Sequence, residues 1–325
     1  MFNKSRAAVD IGNHSAKIVE YKPIKKGITI SKISRIEGLN NKNLIDDLVK
    51  SIDSKQLTLM LSNSDSMLVK EVPVKELKNQ IKNLTQNGYS ADYTKLDDDL
   101  YLLAHVEAET VKKIALPLMK AKKQVVAVDT NASAMLYLAK VYEDDFETKI
   151  FLDIGHLSSK VLIIHQGKVV KYTKFDTGIF HIIEGIKENI GASHARTLEL
   201  VWRLGLNKNQ LPVNANELLD DFNITEVEYG HSVQDRMDYF LNRLADALRS
   251  NIAFKADDSK LILIGGGPLI GGVEEVIGET LSIEVETFSL VSSTAGEWKV
   301  INNTEQKIDS SYALAVGLAL REVAK

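Results

Sequence analysis

A chain of 325 residues, 44% hydrophobic and 26% charged, has the makeup of a globular protein of about two domains with sizeable cores. A net charge of -4 with dispersed basic residues gives no electrostatic footing for nucleic acid, and the absence of cysteine excludes disulfides and thiolate metal sites. No apolar run reaches the ~20 residues of a membrane-spanning helix, and the first strand follows Met1 closely, so no signal peptide or membrane insertion is expected and a cytoplasmic location is.

Apolar residues 7–9 open a first strand, and the polar turn after it reads DIGNHSAK from Asp10 to Lys17. Strands follow from Ile18 and over 27–33, and 44–49 has helical spacing. Residues 57–61 and 66–74 read as strands, the second ending at Pro73. A charged amphipathic helix is predicted over 75–87, with Leu77, Ile81 and Leu84 on one face. Then come a strand at 100–106, a helix at 110–122, a strand at 125–128 and a helix at 132–141 linking two halves. The run 150–152 leads into a second polar turn, DIGHLSSK, from Asp153 to Lys160. A hairpin of 161–164 with 168–173 turns about Gln166-Gly167. Helices are predicted at 179–189, 192–204 and 234–254, with 207–225 irregular. The buried-strand run 261–264 ends in Gly265-Gly266-Gly267-Pro268 with a helix start beyond, and 312–323 is a closing helix of small and apolar residues.

The two turns share Asp, Ile, Gly, Ser and Lys in register, each between apolar runs. Gly removes the Cβ so that backbone N–H groups can approach an anion. Ser adds a hydroxyl, Lys a point charge, and a carboxylate can hold Mg²⁺ through water. One such turn is ordinary turn chemistry. Two in register point to related halves facing each other across a phosphate-binding cleft. The glycine run is a candidate nucleoside floor, although Pro268 and its late position break the dinucleotide fingerprint. The seven histidines lack metal-ligand spacing, and the acidic runs 97–99, 220–221 and 257–258 read as solvated loop edges.

Two DxG turns, a late glycine-rich strand end and a small-residue closing helix resemble the actin-like ATPase superfamily of actin, Hsp70 and sugar kinases. Within it, nearly the whole chain resembles the PilM family of type IV pilus assembly proteins, relatives of FtsA. The segments 57–73, 125–129 and 310–321 carry that narrower likeness. The resemblance implies an α/β fold of two duplicated RNase H-like halves around a nucleotide cleft. Its subdomains would be 1A (1–55 with 302–325), 1C (56–123), 2A (124–185 with 255–301) and 2B (186–254).

By that resemblance, ATP or ADP with Mg²⁺ binds between 1A and 2A. Asp10 and Asp153 would hold the ion through water. Gly12, Asn13, His14, Ser15 and Lys17 would line the first phosphate loop, with Lys17 reaching the β-phosphate. Gly155, His156, Leu157 and Ser158 would form the second, and Gly265, Gly266 and Gly267 would meet the nucleoside through backbone atoms. Lys160 has no family counterpart and is expected in solvent; Gly317 is expected to serve helix packing. The partners implied are the short cytoplasmic tail of PilN, an inner-membrane protein docking near 1A and 1C, and other pilus assembly components. The chain would thus sit at the inner membrane through a partner, with self-association left open.

One departure bears on chemistry. Where active relatives carry an acid or glutamine that orients the attacking water, this chain has Thr130-Asn131, and Asn cannot accept a proton from water. Asp246, Arg249 and Asn251 stand near where relatives often have a glutamate facing the sugar. Nucleotide binding with slow or absent hydrolysis is therefore expected, with Asp10, Asp153 and Asn131 as the catalytic set. A cytoskeletal filament like MreB, ParM or FtsA is the alternative, and a sugar or acetate kinase a third reading. Against the first stand the lack of a C-terminal amphipathic helix and the likeness of 56–123 to 1C; against the second, the lack of a substrate-binding insert.

Overall fold

Strand pairing in the first third of the chain follows its apolar runs. The computed structural model describes residues 4–38, 43–61, 68–142, 146–249, 256–290, 299–321 and 323. It divides into one unit of residues 1–145 with 289–325 and a second of 146–288.

In the first unit, β1 (Arg6–Ile11), β2 (Ser15–Ile24) and β3 (Gly27–Glu37) form an antiparallel meander in which Asp10 lies opposite Lys17. Helix α1 (Leu44–Ser51) crosses to β4 (Gln56–Leu61), which runs parallel to β1. The link is anchored by the buried Glu20 of β2. Its carboxylate accepts from the backbone N–H groups of Asp53 (3.1 Å) and Ser54 (2.7 Å) and from the Ser54 hydroxyl (2.5 Å). A buried carboxylate is tolerable only with such partners.

The chain then builds a small sheet of its own. Strand β5 (Leu68–Pro73), helix α2 (Val74–Gln86), β6 (Tyr89–Asp97) and β7 (Leu100–Glu107) give an antiparallel sheet ordered β5-β7-β6. Val72, Leu77 and Leu103 form its core, with Ile81 and Leu84 packed against it as the helical spacing predicts. Helix α3 (Ala108–Lys120) returns to β8 (Gln124–Asp129), which runs parallel to β4. Helix α4 (Asn131–Ala139) follows, capped by the Thr130 hydroxyl, which accepts from the Ser133 N–H at 3.1 Å.

The second unit repeats the opening pattern. Strands β9 (Thr148–Ile154), β10 (Ser159–His165) and β11 (Lys168–Phe175) form a meander. Helices α5 (Ile179–Ile190), α6 (His194–Leu204), α7 (Ala215–Asp220) and α8 (Glu226–Leu248) come next. Strand β12 (Ser259–Gly265) then lies parallel to β9, and helix α9 (Val273–Leu281) leads to β13 (Glu284–Thr287). Ile150 and Leu152 of β9, Leu261 and Leu263 of β12 and Phe240 and Leu244 of α8 share one core. Afterwards β14 (Lys299–Asn302) joins the first unit parallel to β3, and α10 (Ala313–Leu320) buries all eight of its residues there against α4 and β1.

The six-stranded sheet is ordered β14-β3-β2-β1-β4-β8 and the five-stranded one β11-β10-β9-β12-β13. The shared run is three antiparallel strands followed by a parallel one beside the first. Four expectations are corrected. Strand β6 is not among the elements expected from the sequence, although Tyr89, Ala91 and Tyr93 alternate with Ser90, Asp92 and Thr94. Residues 56–61, expected to open the small subdomain, lie beside β1. Residues 124–139, expected in the second half, belong to the first unit. Helix α8 starts at Glu226, not Gln234, because Thr225 and Glu228 form a capping box: the Glu228 N–H donates to the Thr225 hydroxyl (3.2 Å) and the Thr225 N–H to the Glu228 carboxylate (2.8 Å). The remainder of the expected helix, 250–254, lies outside the described residues.

Candidate functional site

The two polar turns have the same local geometry, each within its own unit. In the first, the Gly12 N–H donates to the Ser15 carbonyl at 3.1 Å; in the second, the Gly155 N–H donates to the Ser158 carbonyl at 3.2 Å. A Cβ at Gly12 would lie 3.1 Å from the Ser15 carbonyl oxygen, and one at Gly155 only 2.7 Å from that of Ser158. Glycine therefore has a steric reason in both turns. The aspartates stand one residue before the ends of β1 and β9, and both are buried, Asp10 at 5% exposure and Asp153 at 3%. Asp10 faces Lys17 across its strand pair, as Asp153 faces Lys160.

Around that shared frame the turns differ. Asn13 and His14 are exposed, with His14 Nε2 3.5 Å from the Glu37 carboxylate, whereas Ser15 is buried and Lys17 half-buried. In the second turn Leu157 is exposed, Ser158 is buried, and the His156 ring lies 5.3 Å from that of Phe180. The first N–H groups of α5 hold this turn in place: Ile179 donates to the Gly155 carbonyl (3.0 Å) and Phe180 to that of His156 (2.9 Å).

Lys160 overturns its expectation. Its side chain is buried, with Nζ 3.1 Å from Asp153 Oδ2. It stands on β10 between β9 and β11, directly opposite Asp153 of β9, so its ammonium meets that carboxylate. The register Asp153↔Lys160 was legible as a repeat of Asp10↔Lys17, and that symmetry would have placed Lys160 over the turn.

The glycine run divides by role. Gly265 has φ +89°, and a Cβ there would lie 2.4 Å from Asp153 Oδ1; at Gly267 it would lie 2.4 Å from Ile154 Cγ2. Both are explained by packing against the end of β9. Gly266 has open space where its Cβ would stand, so of the three it is the one free to face a ligand.

Asn131 is the buried first residue of α4, just after a β8 end fixed by an ion pair between Arg321 Nε and Asp129 Oδ2 at 2.8 Å. Asp246, a candidate for the sugar, pairs instead with Arg249 Nη1 at 3.2 Å on an exposed stretch, and Asn251 lies outside the described residues. Among the described residues no group of three or more acids or histidines is arranged to hold a metal. An ion here would depend on phosphate and water ligands, as Mg²⁺ with a nucleotide does.

A cavity of about 250 Å³ in the first unit lies where the small sheet meets β8, lined by Ser90, Asp92, His105, Val111, Val128 and Thr130. His105 Nδ1 is buried without a hydrogen-bond partner among the described residues. Burial, and secondarily the Lys70 ammonium, holds this imidazole below its ordinary pKa. No motif in the sequence announces this cavity.

No protein-family model matches the chain, and no curated protein does. Solved structures do. The chain is similar to the PilM-PilN type IV pilus biogenesis complex at a TM-score of 0.72 and 16% identity, covering 98% of each chain. It is similar to the ethanolamine utilization protein EutJ from Carboxydothermus hydrogenoformans at 0.57 and 12%, covering 98% of this chain and 90% of that one. It is also similar to MreB5 of Spiroplasma citri bound to ADP, at 0.57 and 11%, covering 100% and 98%. At these identities the likeness concerns the fold: this chain has the actin-like ATPase fold.

Proposed function

We propose that this protein is a nucleotide-binding scaffold of a type IV pilus or related secretion machine, which docks the cytoplasmic tail of a PilN-like inner-membrane protein. The observation that carries the nucleotide half is the matched geometry of the two turns, each with a glycine, a buried serine and an aspartate facing a lysine. Gly12, Asn13, His14, Ser15 and Lys17 present backbone donors, a hydroxyl and a cation to phosphate, and Gly155, His156, Leu157 and Ser158 present backbone donors and a hydroxyl in the second unit. Gly266 lets a flat nucleoside approach the backbone, with Gly265 and Gly267 shaping the turn. A nucleotide-bound Mg²⁺ supplies charge neutralisation at the phosphates, and Asp10, buried at its strand end, suits that ion through water.

Hydrolysis is slow in this reading. Asn131 can orient a water but not take its proton. Nucleotide then acts by favouring one arrangement of the protein over another, through differential affinity. The partner half rests on the likeness to PilM in complex with PilN and on the cavity beside β8, which offers an apolar wall and a few polar groups to a peptide. In subdomain terms the small sheet is 1C, the six-stranded sheet 1A, the five-stranded sheet 2A and α6–α8 2B. No helix among the described residues is long and apolar enough to cross a membrane, and attachment in this reading comes from the partner.

Calorimetry with Mg-ATP tests the reading. Asp10→Ala is expected to weaken binding at least about tenfold, ~1.4 kcal/mol. A peptide of the partner tail is expected to bind more tightly with ATP present. Unchanged affinity in the variant overturns the nucleotide role. The likeness to MreB5 favours a filament as the second reading; ATP-dependent growth in light scattering would support it over a monomeric scaffold.

A further inference from the structure

We propose that the outward face of α3 is a contact surface for an anionic phospholipid membrane, additional to attachment through a partner. Helix α3 turns Ile114 and Leu118 into the core it shares with β1 and β4, where Leu118 is fully buried. The opposite side then points to solvent at helical spacing and holds Lys112, Leu116, Met119 and Lys120, with Lys113 at its margin. Leu116 and Met119 are 49% and 54% exposed. Single exposed aliphatics are normal on a protein surface. Here two large ones lie one helical turn apart, and lysines surround them.

The charges agree in sign. Residues 107–123 carry five lysines against two glutamates, in a chain whose net charge is -4. Glu109 already pairs with Lys112 at 2.7 Å. Lys123 fixes the turn after the helix, donating to the carbonyls of Ile52 (2.5 Å) and Ser54 (3.2 Å). Lys113, Lys120 and Lys122 are exposed and have no acidic partner among the described residues. The Gln124 N–H donates to the Lys55 carbonyl at 2.7 Å, which brings the exposed Lys55 beside the same turn.

Lysine is a compact point charge on a flexible stem, without the planar fork by which arginine grips one carboxylate. Such charges suit a diffuse layer of lipid phosphates, where each contributes about fivefold in affinity. Leu116 and Met119 enter the headgroup boundary while the lysine stems bend back to the phosphates. The helix lies on the bilayer and does not cross it. Helix α2 is the contrast within the same unit. It also exposes three lysines, Lys75, Lys78 and Lys82, but has Asn79 and Gln86 on its outward face where α3 has Leu116 and Met119.

The experiment is co-sedimentation of the whole chain with phosphatidylcholine vesicles, with and without about one-third phosphatidylglycerol. Binding is expected only with phosphatidylglycerol, and is expected to fall at least about tenfold between about 0.05 M and about 0.5 M salt. The triple variant Lys113→Gln, Lys120→Gln, Lys122→Gln is expected to bind at least about tenfold more weakly. The triple variant Lys75→Gln, Lys78→Gln, Lys82→Gln makes the same charge change on α2 and is expected to stay within about threefold of wild type. Leu116→Ser with Met119→Ser is expected to weaken binding and leave its salt dependence unchanged. Equal binding to both vesicle types, or none to either, overturns the proposal. So does an α3 lysine variant that binds like wild type, or an α2 variant that loses as much. Retention on poly-glutamate without vesicle binding assigns the face to an acidic polypeptide and overturns the lipid assignment. The assay contains neither nucleotide nor partner peptide, so its outcome is independent of the scaffold reading. Should a variant fail to fold, the wild-type comparison of lipid composition and salt decides alone.

Discussion

His105 shows what a single buried side chain commits the protein to. It sits on the central strand of the small sheet, opposite Ala91 of β6, with the Tyr89 ring edge-on at 5.4 Å and Asp92 lining the same cavity. Burial disfavours the imidazolium, and the Lys70 ammonium adds to it, so the folded pKa lies below the unfolded 6.5. Between those two values the unfolded chain binds more protons than the folded one. Stability from the neutral ring is therefore complete above about pH 6.5 and is lost as pH falls through the folded pKa. Thermal melts from about pH 7.5 to about pH 5 are expected to show a fall in Tm that is shallower in His105→Leu. Equal slopes for the two proteins would exclude a neutral, strained His105. Glu20 and Asp153 are the contrasting cases, buried acids with polar partners close by, the Ser54 N–H for the first and the Lys160 ammonium for the second.

At the scale of elements, α10 is the tightest fit. All eight of its residues are buried, and it needs Gly317 because a Cβ there would stand 2.2 Å from the Ala134 carbonyl oxygen of α4. Backbone cannot step aside as a flexible side chain can, so Gly317→Ala must push α10 and α4 apart. It is expected to cost ~3 kcal/mol in denaturant unfolding. Gly266→Ala, with open space where its Cβ would stand, is expected to stay within about 0.5 kcal/mol. If both variants unfold alike, close packing is not what Gly317 provides. The Arg321–Asp129 pair, 19% and 12% exposed, ties the end of α10 to the end of β8 and so holds the entry to α4, where Asn131 begins.

Across the whole molecule, the chain crosses between its units twice, and this sets which parts can stand alone. Residues 146–288 are continuous and own a complete core running from β9 through α8 to β12. Expressed by themselves they are expected to unfold cooperatively with native-like circular dichroism. Residues 1–145 are expected not to fold, because α10 and β14, which finish their core and sheet, lie after residue 288. A cooperative transition in the 1–145 fragment would show that α10 is dispensable there. Such discontinuity raises contact separation along the chain and predicts that the second unit forms first.

Local signals made much of this molecule readable. The duplicated DIG turns, the capped and amphipathic helices and the apolar strand runs depend on neighbours a few residues away, and a periodicity or a glycine reports them directly. Both turns, their aspartates and the glycine run stand out in the sequence by themselves. The capping box at Thr225 was equally local and equally visible. What tertiary structure alone decided were matters of pairing between distant segments. Strand β6 exists because β7 supplies its hydrogen bonds, and β4 and β8 belong to the larger sheet because β1 pairs with β4 and β4 in turn with β8. Lys160 meets Asp153 only because β10 pairs with β9 in that register, and Gly265 and Gly267 are required by a strand end more than a hundred positions earlier. A side chain's burial is set by what the remainder of the chain brings over it, and no window of sequence contains that information.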